Sequence, residues 1–300
     1  MRMISRTRSL TILTSLLLTG LAAHGGGEET SSLKLSPPPS GPIPVAFLLS
    51  EHATMIDFAG PWEVFQDVLV PGRGDSPEAF RLFTVAETMA PIHTSGGMMI
   101  VPNYTLANAP VPKVIVIPAQ SEATDAVRTW LRKSAPTADV VMSVCTGAFV
   151  LASTGLLDGQ AATTHHSFYH QLATDYPKVK LEPGKRFVEG PKVATAGGLT
   201  SGIDLALRVV ERYFGRDTAE RTARYMEYQS GGWRDPTGAA NAEYATSRLP
   251  PGTVLCAVCH MEVPEGLLTH RHDGRTYNFC SSACRTEFVS HPEKYTPPAN

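Results

Sequence analysis

The stretch Val140-Val141-Met142-Ser143-Val144-Cys145-Thr146-Gly147-Ala148 sets one cysteine between a short apolar run and the start of a helical pattern. A brief, continuously apolar segment bounded by turn residues reads as a strand buried on both faces of a parallel sheet. Asp139 to Val144 is that strand, and Ala148 to Ser153 is the helix after it, closed by Gly155, a residue that tolerates the left-handed cap conformation. A thiol at the carboxyl end of such a strand stands where open α/β sheets form their ligand crevices. Gly147 lets the turn be tight, so the segment has the pattern of a nucleophile elbow, the sharp strand-to-helix turn that exposes a reactive side chain. A helix N-terminus beside the sulfur is expected to lower the thiol pKa. The alternative is a structural cysteine, because thiols are among the most interior side chains.

Working outward from the elbow, apolar runs alternate with helical stretches, the pattern of a parallel sheet covered on both faces. Pro44 to Leu49, Phe80 to Ala86, Val114 to Ile117 and Lys192 to Ala196 read as strands, and Gly96 to Val101 as a short hairpin arm. Pro61 to Val68 reads as a helix with its proline in the first turn, where the missing N–H costs nothing. Ala123 to Lys133 is amphipathic. Ser201 to Phe214 carries Ile203, Ala206, Leu207, Val210 and Phe214 at helical spacing and ends at Gly215; Asp217 to Tyr228 opens with a capping pattern.

The N-terminus has the form of a secretory signal, with Arg2, Arg6 and Arg8, an apolar run Leu10 to Ala22, and small residues for cleavage. The expected division is therefore a signal peptide over 1–23, a Gly- and Pro-rich linker over 24–42, a sandwich domain over 43–232, a linker over 233–252 and a cysteine-rich unit over 253–296. That apolar run is shorter than the roughly 20 residues needed to span a bilayer, so no stable membrane anchor is expected. The expected localisation is periplasmic or secreted. The 26 Lys and Arg residues against 28 Asp and Glu are scattered, giving a formal charge of -2 and no cationic surface for a nucleic-acid partner.

Three motifs in order, MIDFAGPWEVF, SVCTGAFVLASTGLLDGQAATTHH and VATAGGLTSGIDLALRVVERYFG, resemble the ThiJ/PfpI superfamily, within it the isonitrile hydratase-like branch and the sensor domains of certain AraC-type regulators. The resemblance covers about Ile43 to Trp233. It implies a flavodoxin-like three-layer sandwich related to class I glutamine amidotransferases, with Cys145 as nucleophile, Asp57 as the acid lying against it, Thr146 in the active site and His165 as the nearby histidine. A carboxyl beside a thiol either shares a proton with it or repels its thiolate, so Asp57 has the chemistry of a general acid. A helix-entry cap is the alternative role for Asp57. His166 is read as a surface residue. Relatives commonly carry Pro-Gly-Gly where this chain has Pro118-Ala119-Gln120; the Ala119 and Thr146 N–H groups are the expected oxyanion donors, with the Ala119 Cβ narrowing the pocket. The resemblance further implies a homodimer, an electrophilic small-molecule substrate and no cofactor in the sandwich.

Beyond the sandwich, Cys256 and Cys259, then Cys280 and Cys284, form two short-spaced pairs separated by twenty residues. This is close to the spacing at which two loops present thiolates to a tetrahedral ion, zinc or another thiophilic metal. LCAVCHMEV followed by GRTYNFCSSACRTEFVSHPEKY resembles the metal-associated YHS domain. His260 stands where relatives usually have glycine and is a possible additional ligand; His270 and His272 are weaker candidates. Disulfide bonding is the competing fate in an oxidising compartment. Either outcome leaves Cys145 as the odd thiol. Two functions follow: an exported cysteine-dependent hydratase or hydrolase-like enzyme with a metal-binding module, or a non-catalytic ligand, redox or metal sensor.

Overall fold

The computed structural model describes residues 33–70, 78–238, 245, 249, 251–258 and 261–296. The expected signal peptide, linker residues 24–32, Cys259 and His260 lie outside the described residues.

The chain runs from Ile43–Leu48 (β1) into helix Met55–Gln66 (α1) and strand Phe80–Ala86 (β2). An antiparallel arm follows, Ile92–His93 (β3) with Met99–Ile100 (β4), and then Tyr104–Thr105 (β5). Next come Val114–Ile117 (β6), Asp125–Ser134 (α2), Val140–Val144 (β7) and Gly147–Ala152 (α3). Ala161–Ala162 (β8), Tyr169–Asp175 (α4) and Lys180–Leu181 (β9) lead to Phe187–Glu189 (β10), Val193–Ala196 (β11), Ser201–Phe214 (α5) and Arg216–Tyr225 (α6). Seven strands make one sheet in the order β10-β11-β7-β6-β1-β2-β5, in which only the β10–β11 pairing is antiparallel.

The central strands are apolar throughout because both sheet faces are covered. Val45, Phe47, Val114, Val116, Val140 and Met142 pack into one core with α1, α5 and α6. Ala46, Leu48, Ile115, Ile117 and Val141 pack into the other with α2 and α3. Alternate residues of one strand thus serve opposite layers, which makes the three-layer sandwich. Strand order reverses between β1 and β6, the topological switch at which such sheets open a crevice beyond their carboxyl ends.

Helix α1 differs from the sequence reading. It begins six residues before Pro61 and carries the proline inside. Phe58, Gly60, Val64 and Phe65 are buried on its inner face, and a Cβ at Gly60 would meet Ile203 Cγ1 of α5 at 2.9 Å. Packing of that face outweighs the preference of proline for a first turn.

Both expected linkers are docked at their sandwich ends. Arg212 of α5 donates to the Leu33 carbonyl at 2.7 Å, and the Leu35 N–H returns a bond to the Arg212 carbonyl. Trp233, expected as the first residue of the second linker, is fully buried between the guanidinium groups of Arg216 and Arg234. The Arg186 N–H also bonds the Gly238 carbonyl, which holds this segment against the sandwich.

The C-terminal module pairs Thr253–Leu255 (β12) with Glu262–Pro264 (β13), and Thr269–His272 (β14) with Arg275–Asn278 (β15). The second hairpin turns on Asp273 and Gly274, both at positive φ, as a two-residue turn of the favoured hand requires. Helix Ser282–Ser290 (α7) is capped by Ser281 Oγ, which accepts from the Cys284 N–H. Phe288 on α7 fills the small core against Phe279 and Cys256.

Candidate active site and thiolate cluster

Cys145 follows the last residue of β7 with φ at 58°, a left-handed conformation that a non-glycine residue adopts only when its surroundings enforce it. Here they do. Its N–H bonds the carbonyls of Ala196 and Gly197 at the end of β11, and its own carbonyl accepts from Thr164 Oγ1 at 2.8 Å. A Cβ at Gly147 would stand 2.2 Å from the Ile117 carbonyl oxygen, so only glycine lets α3 start this close to β6.

The thiol is 9% exposed, and the Asp57 carboxyl is fully buried. Asp57 lies in the first turn of α1 but does not cap it; its Oδ2 accepts from the Ala119 N–H at 3.1 Å. Oδ1 has no hydrogen bond of regular geometry, and the carboxyl interacts with the Cys145 side chain. β1, β6 and β7 therefore each deliver one component, through the segments after their carboxyl ends, to a single point at the switch.

Burial raises the Asp57 pKa from 3.8 to about 7, against the opposing effects of the Ala119 N–H and Cys145. The Cys145 pKa is also raised well above its ordinary value, first by burial and then by the Asp57 charge. The Thr146 and Leu199 N–H groups and the Thr146 side chain pull it down less. This corrects the expectation of a depressed thiol: α3 has six residues, too short for its dipole to offset burial and a facing carboxylate. The two groups titrate as a pair. Its chemistry is that of a thiol beside a base poised near neutrality.

Ala119, expected as an oxyanion donor, spends its N–H on Asp57. The N–H groups turned toward the sulfur belong to Thr146, read from the sequence as an oxyanion donor, and to Leu199, which sequence reasoning missed. Leu199 has φ at 44°, and the preceding Gly197-Gly198 is the signal that could have marked a close-approach loop. Thr164, which holds the Cys145 carbonyl, was also missed.

His165 packs on Gly198, where an added Cβ would fall 2.6 Å from its Cδ2, and stacks on His166 with ring centroids 4.4 Å apart. Burial and the neighbouring His166 lower its pKa to about 4, so it is neutral at pH 7. Its Nδ1 accepts from the Ser167 N–H. His166, expected as a surface residue, is largely covered and contacts Glu262 of the C-terminal module, its Nε2 3.2 Å from Oε1.

In the module, the sulfurs of Cys256, Cys280 and Cys284 lie within 4.8 Å of one another. The Cys280 and Cys284 sulfurs are 3.5 Å apart, far beyond the ~2.05 Å of a disulfide. Three converging soft donors suit a thiophilic ion. His270 and His272 instead pack edge-on against Phe288, and His272 pairs with Asp273.

A parallel sandwich with a strained cysteine elbow facing a buried carboxyl defines a cysteine-elbow α/β protein. Residues 44–212 match the DJ-1/PfpI family, and the chain belongs to it. Isonitrile hydratase of Pseudomonas putida is 29% identical over 223 residues, spanning 71% of this chain and 92% of that protein. The HTH-type transcriptional regulator GbdR of Pseudomonas aeruginosa is 24% identical over 192 residues, and the matched region is 51% of that regulator. A ThiJ/PfpI family protein from Pseudomonas syringae shares the fold, with a TM-score of 0.56 and 24% identity over 76% of this chain and 90% of its own. Among the described residues no helix is long and apolar enough to cross a membrane.

Proposed function

We propose that this protein is a cysteine-dependent enzyme that hydrates or hydrolyses a small electrophile, with an isonitrile as the leading substrate class. The reading rests on one observation: a thiol enforced at a strained elbow beside a buried carboxyl whose pKa is about 7. The likeness to isonitrile hydratase supports the substrate class.

In this reading the Asp57 carboxylate takes the thiol proton as the Cys145 sulfur bonds to the isonitrile carbon, and the resulting carboxylic acid protonates that carbon. The product is a thioimidate, Cys–S–CH=N–R. Water then adds across its C=N bond, one water proton passing to nitrogen; the C–S bond breaks, the sulfur recovers the hydroxyl proton, and an N-formyl amine leaves. Thr146 and Leu199 N–H groups stabilise charge on the sulfur along the way.

The module would hold zinc or another thiophilic ion on Cys256, Cys280 and Cys284, with Cys259 of the same YHS-like pattern as fourth ligand. Export to a periplasm or cell exterior, carried by the N-terminal signal pattern, and a homodimer complete the proposal. Exposed Met98, Met99 and Val101 on the β3–β4 arm offer an apolar surface compatible with self-association.

One observation favours a second reading, a ligand or redox sensor: the thiol is nearly sealed and its pKa is raised, which slows uncatalysed attack. Incubating the full chain with isonitriles and α-ketoaldehydes, beside Cys145→Ala and Asp57→Asn variants, separates the two. Turnover lost in both variants supports the enzyme; no turnover and no thiol adduct in the unmutated chain supports the sensor.

A further inference from the structure

A second group of ligand-bearing side chains meets where the C-terminal module touches the sandwich. His165 and His166 open the short 3-10 turn before α4, and Glu262 begins β13 of the module. One ligand atom from each lies within 4.8 Å of the others. Glu262 Oε1 is 3.2 Å from His166 Nε2 and accepts a short hydrogen bond from Ser167 Oγ. The two imidazole rings are stacked, 30° from parallel.

A simple ion pair accounts for only part of this geometry. A pair between His166 and Glu262 makes no use of the His165 ligand atom that lies beside both. A divalent ion would engage a lone pair of each imidazole together with the carboxylate, His165 turning out of the stack so that its ring plane points at the ion. A tetrahedral ion with bonds of ~2.1 Å holds its ligand atoms ~3.4 Å apart. The His166–Glu262 spacing of 3.2 Å is already there, and the His165 donor, within 4.8 Å of the other two, closes in by turning its ring. Ser167 then acts as the outer partner that orients the carboxylate, as metal-bound carboxylates usually require.

We infer that His165, His166 and Glu262 form a divalent transition-metal site of the zinc type, closed across the junction between sandwich and module. Two imidazoles and a carboxylate leave a fourth position for water and select zinc, cobalt(II) or nickel(II) ahead of the copper(I) that thiolates prefer. An ion there ties the module to the segment that follows Thr164, the residue whose hydroxyl holds the Cys145 carbonyl. The inference is independent of both the enzymatic reading and the thiolate cluster.

The test is zinc stoichiometry of the full chain, stripped of metal, kept reduced, titrated with zinc chloride and freed of excess. His166→Gln and Glu262→Gln are each expected to bind one equivalent fewer than the unmutated chain, with unchanged near-ultraviolet circular dichroism. A Cys280→Ser/Cys284→Ser double variant is expected to keep one equivalent, and to lose it when Glu262→Gln is added. Cobalt(II) in the double variant should give ligand-field bands without thiolate charge transfer. Unchanged stoichiometry in both His166→Gln and Glu262→Gln would overturn the inference, as would a double variant that binds no ion.

Discussion

The Ala119 N–H donates to Asp57 Oδ2 across 3.1 Å, and that bond decides what the carboxyl can do beside Cys145. It fixes one oxygen in place and occupies the donor that was expected to face substrate, while the carboxyl still interacts with the thiol. Burial then raises the carboxyl to about 7, where a proton can be gained or lost at little cost near neutral pH.

A stability prediction follows from the same shift. The folded state holds the Asp57 proton more tightly than the unfolded chain, so the stability it contributes is complete below about pH 4 and is lost as pH rises through about 7. Asp57→Asn keeps an acceptor for Ala119 and removes the buried charge. Its melting temperature is expected to exceed that of the unmutated chain at pH 8, by an amount corresponding to a few kcal/mol, on the order of the shift at 1.36 kcal/mol per unit. The gain should vanish at pH 4. Thermal melts at the two pH values check it.

The Asp57 charge is the second cause of the raised thiol, after burial. Asp57→Asn should therefore bring the appearance of Cys145 thiolate to lower pH while leaving it above the range of an exposed cysteine. Ultraviolet thiolate absorbance, taken as a difference against a Cys145→Ser variant in each background, reads this directly. A thiolate that appears at the same pH with and without Asp57 contradicts the coupling.

Gly147→Ala puts a methyl group into the Ile117 and Pro118 carbonyls, backbone atoms that cannot swing aside. The elbow and β6 must separate, at a cost of roughly 2–4 kcal/mol, in the range of severe steric substitutions. Denaturant unfolding should show the loss, and reaction of Cys145 with a small thiol reagent should accelerate as the site opens.

Much of the elbow was legible because its signals are local. An apolar run, a cysteine and a glycine lie within nine residues, and β6, β7 and α5 follow from uninterrupted apolar pattern or helical spacing. Misreadings arose where distant packing decides. Pro61 looks like a helix start until Gly60 is seen against Ile203. Ala119 looks like an oxyanion donor until Asp57 takes its N–H. Leu199 and Thr164 approach Cys145 from other segments, and although both lie inside the quoted motifs, nothing local to those stretches points at the sulfur. Trp233 follows a pair of glycines, which read as a linker, yet it is buried under two arginines. The meeting of Glu262 with His166, 96 positions apart by numbering, has no periodic or compositional trace.

The C-terminal module rests on one aromatic side chain. Phe288 is fully buried, with Tyr277 and Phe279 centroids at 4.6 and 5.2 Å. Phe288→Ala is expected to cost about 3–5 kcal/mol, as much as so small a core supplies. Limited proteolysis should then cut within 253–296, while the sandwich, whose cores it does not enter, melts at an unchanged temperature.

The central claim is that Asp57 and Cys145 hold a mobile proton near neutral pH. Carbon-13 NMR of the Asp57 carboxyl, assigned by its disappearance in Asp57→Asn, tests it most directly. A titration midpoint near 7, moving when Cys145 is replaced by Ser, is the expected result. A midpoint near the ordinary 3.8, indifferent to Cys145, would contradict the account.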